Sequence, residues 1–478
     1  MYGSSRKIHF VGVGGIGMSG LAEILLNLGY EVSGSDLHGT DITKRLETLG
    51  LLFKEGHEAA HVDGAEILVM SAAVPESNPE VAAARTAGIP VLHRSDLLAD
   101  LMRLKPNAVV VGGTHGKTTT TSMISAFLDL ANIGATTVVG GILHRSGTNA
   151  RWGTGQYIVA EADEHDGSFL RLHPTIAVVT NIDAEHLEYY GSLDRVKRAF
   201  ADFCNMVPFY GYSILCRDDA NTRAILPDIE SACLTYGIEE GASIRAEHIR
   251  VSGGGDTFGS ERFRALRTQF DVVSYDERLG ATGKLGTIEI HALGTHNVLN
   301  ALAACTVGLC LSMRFGLIAE GLKHFDGVRR RMQLVGESHG VVVVEDYAHH
   351  PTEIRVTLEA ARCTNPNRLI VVFQPHLYSR TKFLSEEFGA VLCEADRALV
   401  TAIYPSREEP MPGVDSTLIV DASRNKGCHQ VELVESMHDV PGYLAPDLQP
   451  GDLVLVLGAG NINQIAAPIL DAWRAHHG

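Results

Sequence analysis

The stretch Val109-Val110-Val111-Gly112-Gly113-Thr114-His115-Gly116-Lys117-Thr118-Thr119 combines the residue types that hold a nucleotide triphosphate. An apolar strand feeds a glycine loop, and a Lys-Thr pair then opens a helix. N–H groups of the loop and of the first helical turn can therefore cradle phosphate oxygens. In such a loop the Lys117 ammonium reaches the β- and γ-phosphates, and the Thr118 hydroxyl binds magnesium. The spacing is one residue shorter than the common form, with Val111 where the first glycine would stand. An ordinary strand–helix turn can be as rich in glycine, but it has no use for Lys-Thr at the phosphate position.

A second turn, Gly12-Val13-Gly14-Gly15-Ile16-Gly17, leaves the first strand, and Asp36 stands at the end of a later one. This dinucleotide fingerprint reports a diphosphate on a helix N-terminus rather than hydride chemistry. Gly12 and Gly14 allow the tight turn and close phosphate approach, and Gly17 allows a helix to pack closely on a strand. From these residues alone a nicotinamide dinucleotide and a UDP-sugar fit about equally.

Acids and imidazoles gather at two further strand ends, Glu161-Ala162-Asp163-Glu164-His165-Asp166 and Thr180-Asn181-Ile182-Asp183-Ala184-Glu185-His186. Loops at the carboxyl ends of parallel strands share a crevice, so Glu161 and His186, nearest the strand ends, are candidate magnesium ligands. Glu164 to Asp166 read as solvated acids. Zinc is not expected without cysteine or a second spaced histidine. Gly294-Thr295-His296-Asn297 opens a long helix, with Asn300 one turn on. Thr295 or Asn297 as a helix cap is the simple reading, and His296 or Asn300 on an adenine ring the sharper one. Near the C-terminus, Glu345-Asp346-Tyr347-Ala348-His349-His350-Pro351 and Gln374-Pro375-His376-Leu377-Tyr378-Ser379-Arg380-Thr381 each follow a strand. Two basic, aromatic-flanked strand ends suit an anionic substrate, and Arg380 suits bidentate carboxylate or phosphate contact. The turn Gly458-Ala459-Gly460-Asn461 fits structural and binding roles equally.

Strands alternating with helices must position these groups, which is the pattern of α/β layering on parallel sheets. Strands are expected at Lys7–Val13, up to Asp36, at Ile67–Ser71, Ala108–Val111, Tyr157–Glu161, Ile176–Thr180, Val341–Glu345 and Leu453–Leu457. Met18, Leu21, Leu25 and Leu28 fall at helical spacing before Gly29. Leu104-Lys105-Pro106-Asn107 reads as a linker, and residues 251–290 as hairpins beside the main sheet. At 478 residues the chain exceeds one ordinary core, and three α/β domains result: 1–105, 106–325 and 326–478. A formal charge of −17 argues against a broad nucleic-acid surface while leaving room for phosphorylated small molecules. The eight cysteines form no C-x-x-C pair, so neither a disulfide nor a zinc framework is expected, and a reducing cytoplasm is the natural setting. No signal pattern opens the chain, and no uninterrupted apolar run is long enough to span a membrane.

Taken in order, GGTHGKTTTT, EADE, TNI-x-x-x-H, GTHNVLNALAA, GVRRRMQ, DYAHHPTE, FQPH-x-Y-x-RT, IYP and GAGNI resemble the Mur ligase family over essentially the whole chain. GVGGIGMSG and the GTHGKTTTT form of the loop are most similar to those members that place the first peptide residue, L-alanine, on UDP-N-acetylmuramate. The resemblance implies an N-terminal Rossmann-like UDP-substrate domain, a central P-loop ATPase-like parallel sheet and a C-terminal Rossmann-like domain. It also implies a cytoplasmic ligase of peptidoglycan precursor synthesis using ATP and Mg2+, monomeric or weakly homodimeric, that closes on its ligands. By matched position Gly112, Gly113, Thr114, His115, Gly116, Lys117, Thr118, Thr119, His296, Asn300 and Asp346 belong to the ATP site. Lys117, Glu161 and His186 are its catalytic set, and Thr118, Glu161 and His186 its magnesium set. Gly12, Gly14, Gly15, Ile16, Gly17, Asp36 and Ser71 belong to the UDP-substrate site. His349, His376 and Arg380 belong to the C-terminal amino-acid site. Three departures stand out: His165 where the family's commonest pattern has serine, Glu185 where aspartate usually precedes the histidine, and Leu377 in place of a frequent arginine. Other classes remain: a ligase that attaches a whole tripeptide, a nicotinamide oxidoreductase that leaves Gly116-Lys117-Thr118 unexplained, and a P-loop switch that makes no product beyond ADP.

Overall fold

The computed structural model describes residues 6–71, 73–141, 148–254, 257–406 and 408–477. Three sheets carry the fold. The first has five parallel strands in the order Leu52–Glu55, Glu31–Asp36, Lys7–Val11, Ile67–Met70, Val91–His93. Strand order reverses beside Lys7–Val11, and at such a switch point an open α/β sheet leaves a crevice outside its carboxyl ends. The Gly12–Gly17 turn lies at that end. Helix Ile16–Asn27 follows, burying Met18, Leu21 and Leu25 at the expected spacing. Gly29 ends this segment with a φ of +83°, a backbone glycine adopts without a Cβ clash.

The second sheet has ten strands, in the order Gly283–Ile290, Arg267–Ser274, Ile244–Ser252, Cys233–Gly237, Tyr212–Cys216, Ile176–Val179, Asn107–Gly112, Tyr157–Glu161, Thr136–Val138, Ala150–Arg151. Asn107–Gly112 lies at its centre, parallel to Ile176–Val179 on one side and to Tyr157–Glu161 on the other. Three candidate loops thus leave adjacent parallel strands at the same end. The strands between residues 244 and 290 lie beside one another in sequence order and extend one edge of this sheet. Gly255 and Asp256 of the glycine-rich stretch lie outside the described residues. The Leu104–Asn107 linker is anchored: Lys105 Nζ donates to Gly153 O (2.6 Å) and Gly155 O (2.7 Å) and sits over the Trp152 ring.

The third sheet runs Gln333–Ser338, Val341–Asp346, Asp452–Leu457, Arg368–Phe373, Arg397–Val400, Val431–Leu433, antiparallel at the first pair and parallel thereafter. Its central strands are apolar throughout because both faces are covered. Val342, Val344, Leu369, Val371, Leu453 and Leu455 pack under Ile354, Leu358, Phe388 and Val391 on one face. Val341, Val343, Ile370, Val372, Val454 and Val456 pack under Ile465, Ile469 and Trp473 on the other. Each such side chain contributes about 1.5–3 kcal/mol when fully buried.

Chain packing forms two compact units: Met1–His248 with Phe270–Ile288 and Leu299–Asp326, and Ile249–Gln269 with Glu289–Val298 and Gly327–Gly478. The cysteine expectation needs correction. Cys393 and Cys428 are joined by a disulfide with Cα atoms 5.8 Å apart, fastening the end of helix Tyr378–Leu392 to the chain beyond helix Thr417–Asn425. Their 35-residue separation matches no spacing motif, so only the packing of the two helices brings them together. Among the described residues, no helix is long and apolar enough to cross a membrane.

Candidate functional site

In the first unit, strand Asn107–Gly112 ends in a loop that returns to the N-terminus of helix Lys117–Leu130. Gly113 has a φ of +121°, and a Cβ there would lie 2.1 Å from Thr180 Oγ1 and 2.9 Å from Thr180 N. Gly116, at φ +84°, is the N-cap and has no side chain to occupy the first-turn amides, which stay open to an anion. The neighbouring strand end braces the loop. Asn181 Oδ1 accepts from His115 N (2.8 Å), its Nδ2 donates to His115 O (2.9 Å), and Thr180 Oγ1 donates to the same carbonyl (2.6 Å). Asp183 N donates to Thr114 Oγ1 (2.8 Å). TNI is visible as a motif in the sequence, but this bracing depends on strand register and is not.

Lys117 Nζ donates to Gly113 O (2.6 Å), Thr114 O (3.0 Å) and Glu164 Oε1 (2.9 Å). Glu164 therefore does not behave as a solvated acid. It is buried, and Tyr190 OH donates to its carbonyl at 2.6 Å. Burial pushes its carboxyl up to about 7, against the pull of Lys117. The same pairing outweighs burial at Lys117 and holds its ammonium above the usual range. Thr118 Oγ1 lies 3.0 and 2.9 Å from the two Glu161 oxygens, and Gly140 N donates to Glu161 Oε2 at 2.7 Å. A hydroxyl beside a carboxylate is an all-oxygen donor pair of the kind Mg2+ takes, so these residues fit that ion. His186 adopts a left-handed backbone (φ 54°). Its contacts are Glu188 Oε1 (3.4 Å), Glu185 Oε2 (3.8 Å) and the His165 ring, and none of these is to Thr118 or Glu161. Burial lowers its pKa, favouring the neutral imidazole a metal or a proton would need. Asn300 joins the loop from helix Thr295–Cys310: its Oδ1 accepts from Thr120 Oγ1 (3.2 Å) and would lie 2.5 Å from a Cβ on Gly116.

The Gly12–Gly17 turn is held from the next strand. Gly12 N and Val13 N donate to Ser35 O at 2.9 and 3.0 Å. Asp36 Oδ2 accepts from Gly14 N (2.8 Å) and Oδ1 from Leu37 N (2.8 Å), so this carboxylate braces the turn. Ser71 lies across from Gly12, its Cβ 3.6 Å from where a Gly12 Cβ would stand. Gly15 caps the following helix without a side chain, and Ile16 is exposed beside it. A Cβ on Gly17 would lie 2.8 Å from Arg94 Nη1, so the guanidinium rests directly on this glycine. Arg94 Nη2 in turn donates to Asp163 Oδ2 at 2.8 Å. No motif marks Arg94, and its placement follows only from helix Arg94–Met102 starting beside the Gly12–Gly17 turn.

In the second unit, His296 is half-buried against Gly294, and burial, with the Arg331 charge, lowers its pKa to about 4. Asn297 Nδ2 donates to Leu293 O (2.8 Å), and helix Thr295–Cys310 starts at Thr295 itself. Asp346 is buried, with its oxygens accepting from Met332 N (2.6 Å) and Ala348 N (2.8 Å). His349, His376 and Arg380 do come together. The two imidazoles lie 6.0 Å apart, Arg380 Nη1 is 3.4 Å from His376 Nδ1, and Tyr404 stacks on His376. His349 is oriented by Tyr347 O (3.0 Å) and Glu353 Oε2 (3.1 Å). Arg330 Nη2 donates to Gly458 O (2.5 Å) and Gly460 O (3.1 Å), fixing the last glycine turn from a motif whose role the sequence left open.

Both glycine turns and the basic cluster have the donors that anionic ligands require. Residues 7–106 match the Mur ligase family catalytic domain, 111–308 the Mur ligase middle domain and 330–460 the Mur ligase glutamate ligase domain. A UDP-N-acetylmuramate–L-alanine ligase of Trichlorobacter lovleyi is 48% identical over 97% of this chain and 98% of its own. One from Geobacter sulfurreducens is 47% identical over 97% of each. The crystal structure of the UDP-N-acetylmuramate–alanine ligase MurC of Thermotoga maritima superimposes with a TM-score of 0.80 at 27% identity, covering 98% of this chain and 99% of that one. The chain belongs to the Mur ligase family, with its three α/β domains built on parallel sheets.

Proposed function

We propose that the chain joins L-alanine to the lactyl carboxylate of UDP-N-acetylmuramate at the expense of ATP, an early step in peptidoglycan precursor synthesis. The observation that carries this reading is the near-full-length identity to ligases of that name, 48% over 97% of the chain. Two phosphate-binding turns and a separate basic cluster are what one ATP, one diphospho-sugar and one amino acid require. Domains 1–105, 106–325 and 326–478 are assigned to the UDP-substrate, to ATP, and to the amino acid together with ATP.

Lys117 and the first-turn amides stabilise charge on the transferring γ-phosphoryl group while the lactyl carboxylate attacks in line. The products of that step are an acyl phosphate and ADP. The amine of L-alanine then attacks the acyl carbon, and the tetrahedral adduct collapses with loss of phosphate. Arg380 suits the carboxylate of the incoming amino acid, and His349 and His376 beside it can take the ammonium proton. Thr118 and Glu161, with His186, would hold Mg2+, which when bound neutralises phosphate charge. Gly12, Gly14, Gly15, Ile16, Gly17, Asp36 and Ser71 frame the UDP site, and His296, Asn300 and Asp346 the ATP site. Nucleotide substrates assign the reaction to the cytoplasm, catalysed by a monomer or weak homodimer.

The test is phosphate release from ATP and UDP-N-acetylmuramate with L-alanine, glycine, L-serine or a tripeptide as acceptor, for the wild type and Lys117→Ala. Release with L-alanine that disappears in the variant supports the reading. Undiminished release in Lys117→Ala, or release only with the tripeptide, overturns it.

A further inference from the structure

Helix Arg94–Met102 starts beside the Gly12–Gly17 turn, and its first residue joins that turn to the acidic strand end at Asp163. The Arg94 guanidinium lies on Gly17, in the first turn of helix Ile16–Asn27, with Nη1, Cδ and Cζ at 2.8, 3.1 and 3.2 Å from where a Cβ would stand. Its Nη2 donates to Asp163 at 2.8 Å. Asp163 sits between Glu161, which meets Thr118, and Glu164, which pairs with Lys117. A single cation therefore reaches from the diphosphate-binding turn of the first sheet to the acidic strand end of the second, whose neighbouring acids meet Thr118 and Lys117. The Arg94 side chain is one-quarter exposed, and among the described residues its hydrogen-bond partner is Asp163, through one of three guanidinium nitrogens.

The chemistry needs a cation at this place. A carboxylate approaching the γ-phosphate of ATP brings two anions together. Lys117 and the loop amides serve the phosphate, but nothing described so far serves the carboxylate. Arginine stays charged at any working pH, and its planar fork matches both oxygens of a carboxylate. We propose that Arg94 receives the lactyl carboxylate of the sugar nucleotide, exchanging its ion pair with Asp163 for one with the substrate. This rests on the ligase reading above. Asp163 then acts as a placeholder that keeps the guanidinium extended between the turns until substrate arrives.

The experiment is calorimetric binding to the full chain of UDP-N-acetylmuramate and of UDP-N-acetylglucosamine, which has the same uridine diphosphate and acetamido sugar but no lactyl carboxylate. For Arg94→Ala, affinity for the first falls roughly tenfold to a hundredfold, the loss of a charge-assisted contact. Affinity for the second changes less than about twofold. Arg94→Lys keeps the charge without the fork and gives an intermediate loss. Asp163→Asn removes the competing carboxylate, so it binds UDP-N-acetylmuramate at least as tightly as the wild type. In steady state, Arg94→Ala raises KM for the sugar nucleotide while KM for ATP stays within about twofold. Equal losses for the two sugar nucleotides would place Arg94 on the diphosphate, or in a purely structural role, and overturn the proposal. So would unchanged binding in Arg94→Ala, or weaker binding in Asp163→Asn. Failure of the ligase reading is separate, because it appears in the wild type as no phosphate release with L-alanine.

Discussion

Removing Glu164 strands the Lys117 ammonium. Among the described residues Lys117 has three acceptors, Gly113 O at 2.6 Å, Thr114 O at 3.0 Å and Glu164 at 2.9 Å, and only the last is a countercharge in contact. Both partners are largely buried, with side chains 15% and 5% exposed. Above pH 7, where the Glu164 carboxyl is ionised, Glu164→Ala leaves a buried ammonium with two neutral carbonyls, and breaking a buried pair from one side costs roughly 3–5 kcal/mol. Glu164→Gln keeps an oxygen in place without the charge and costs roughly 1–2 kcal/mol. The measurement is urea unfolding of wild type and both variants, with and without a non-hydrolysable ATP analogue. Nucleotide phosphates give Lys117 a new anionic partner, so saturating analogue shrinks the alanine deficit to less than half. A pH series adds a sign. Burial raises the Glu164 carboxyl to about 7 from 4.5, so the folded state holds this proton more tightly than the unfolded state. That contribution is fully present below pH 4.5 and is lost as pH rises towards 7, so wild-type stability falls relative to Glu164→Gln across that window. Alanine and glutamine variants both within about 0.5 kcal/mol of wild type, or deficits unchanged by nucleotide, would refute the reasoning.

Other outcomes follow from the same structure. Gly113→Ala drives a methyl into Thr180 at φ +121°, so it lowers stability by roughly 2–4 kcal/mol and abolishes phosphate release. Gly29→Ala, at φ +83° in open space, costs about 1 kcal/mol and leaves turnover intact; equal effects of the two would refute the steric account. Reducing Cys393–Cys428 removes a cross-link over a 35-residue separation and lowers stability by about 4 kcal/mol. Cys393→Ser, Cys428→Ser and the double variant should give one common deficit, and additive deficits would contradict this. Buried Glu80 is held down at about 2 because hydrogen bonds from His9, Ser35 and His61 outweigh the cost of burial. Its stabilisation is present above pH 4.5 and lost as pH falls towards 2, so acid unfolding of wild type and Glu80→Gln converges below pH 4.5; a constant gap down to pH 2 would contradict it.

Much of this was legible in the sequence where chemistry is local. A glycine loop with Lys-Thr at the head of a helix specifies its own geometry, and so does the alternation of strand and helix. Strands came out within two residues because fully apolar runs such as Val341–Val344 and Leu453–Leu457 can only be buried strands in this setting. What stayed hidden depends on contacts between distant segments. Glu164 looks like its acidic neighbours until the parallel register of Val111 with Glu161 brings it to Lys117. Arg94 has no motif because its two neighbours, Gly17 and Asp163, follow strands of different sheets. The Cys393–Cys428 link answers to the packing of two helices, which cysteine spacing does not encode.

The central claim is that two phosphate-binding turns and a basic cluster serve a single carboxylate activation. Its most direct measurement is positional isotope transfer: UDP-N-acetylmuramate labelled with oxygen-18 in the lactyl carboxylate, turned over with ATP and L-alanine. Activation as an acyl phosphate moves one labelled oxygen into the released phosphate, and the product gains the mass of one alanine residue. Phosphate without label, or labelled phosphate with no alanine in the product, would contradict the account.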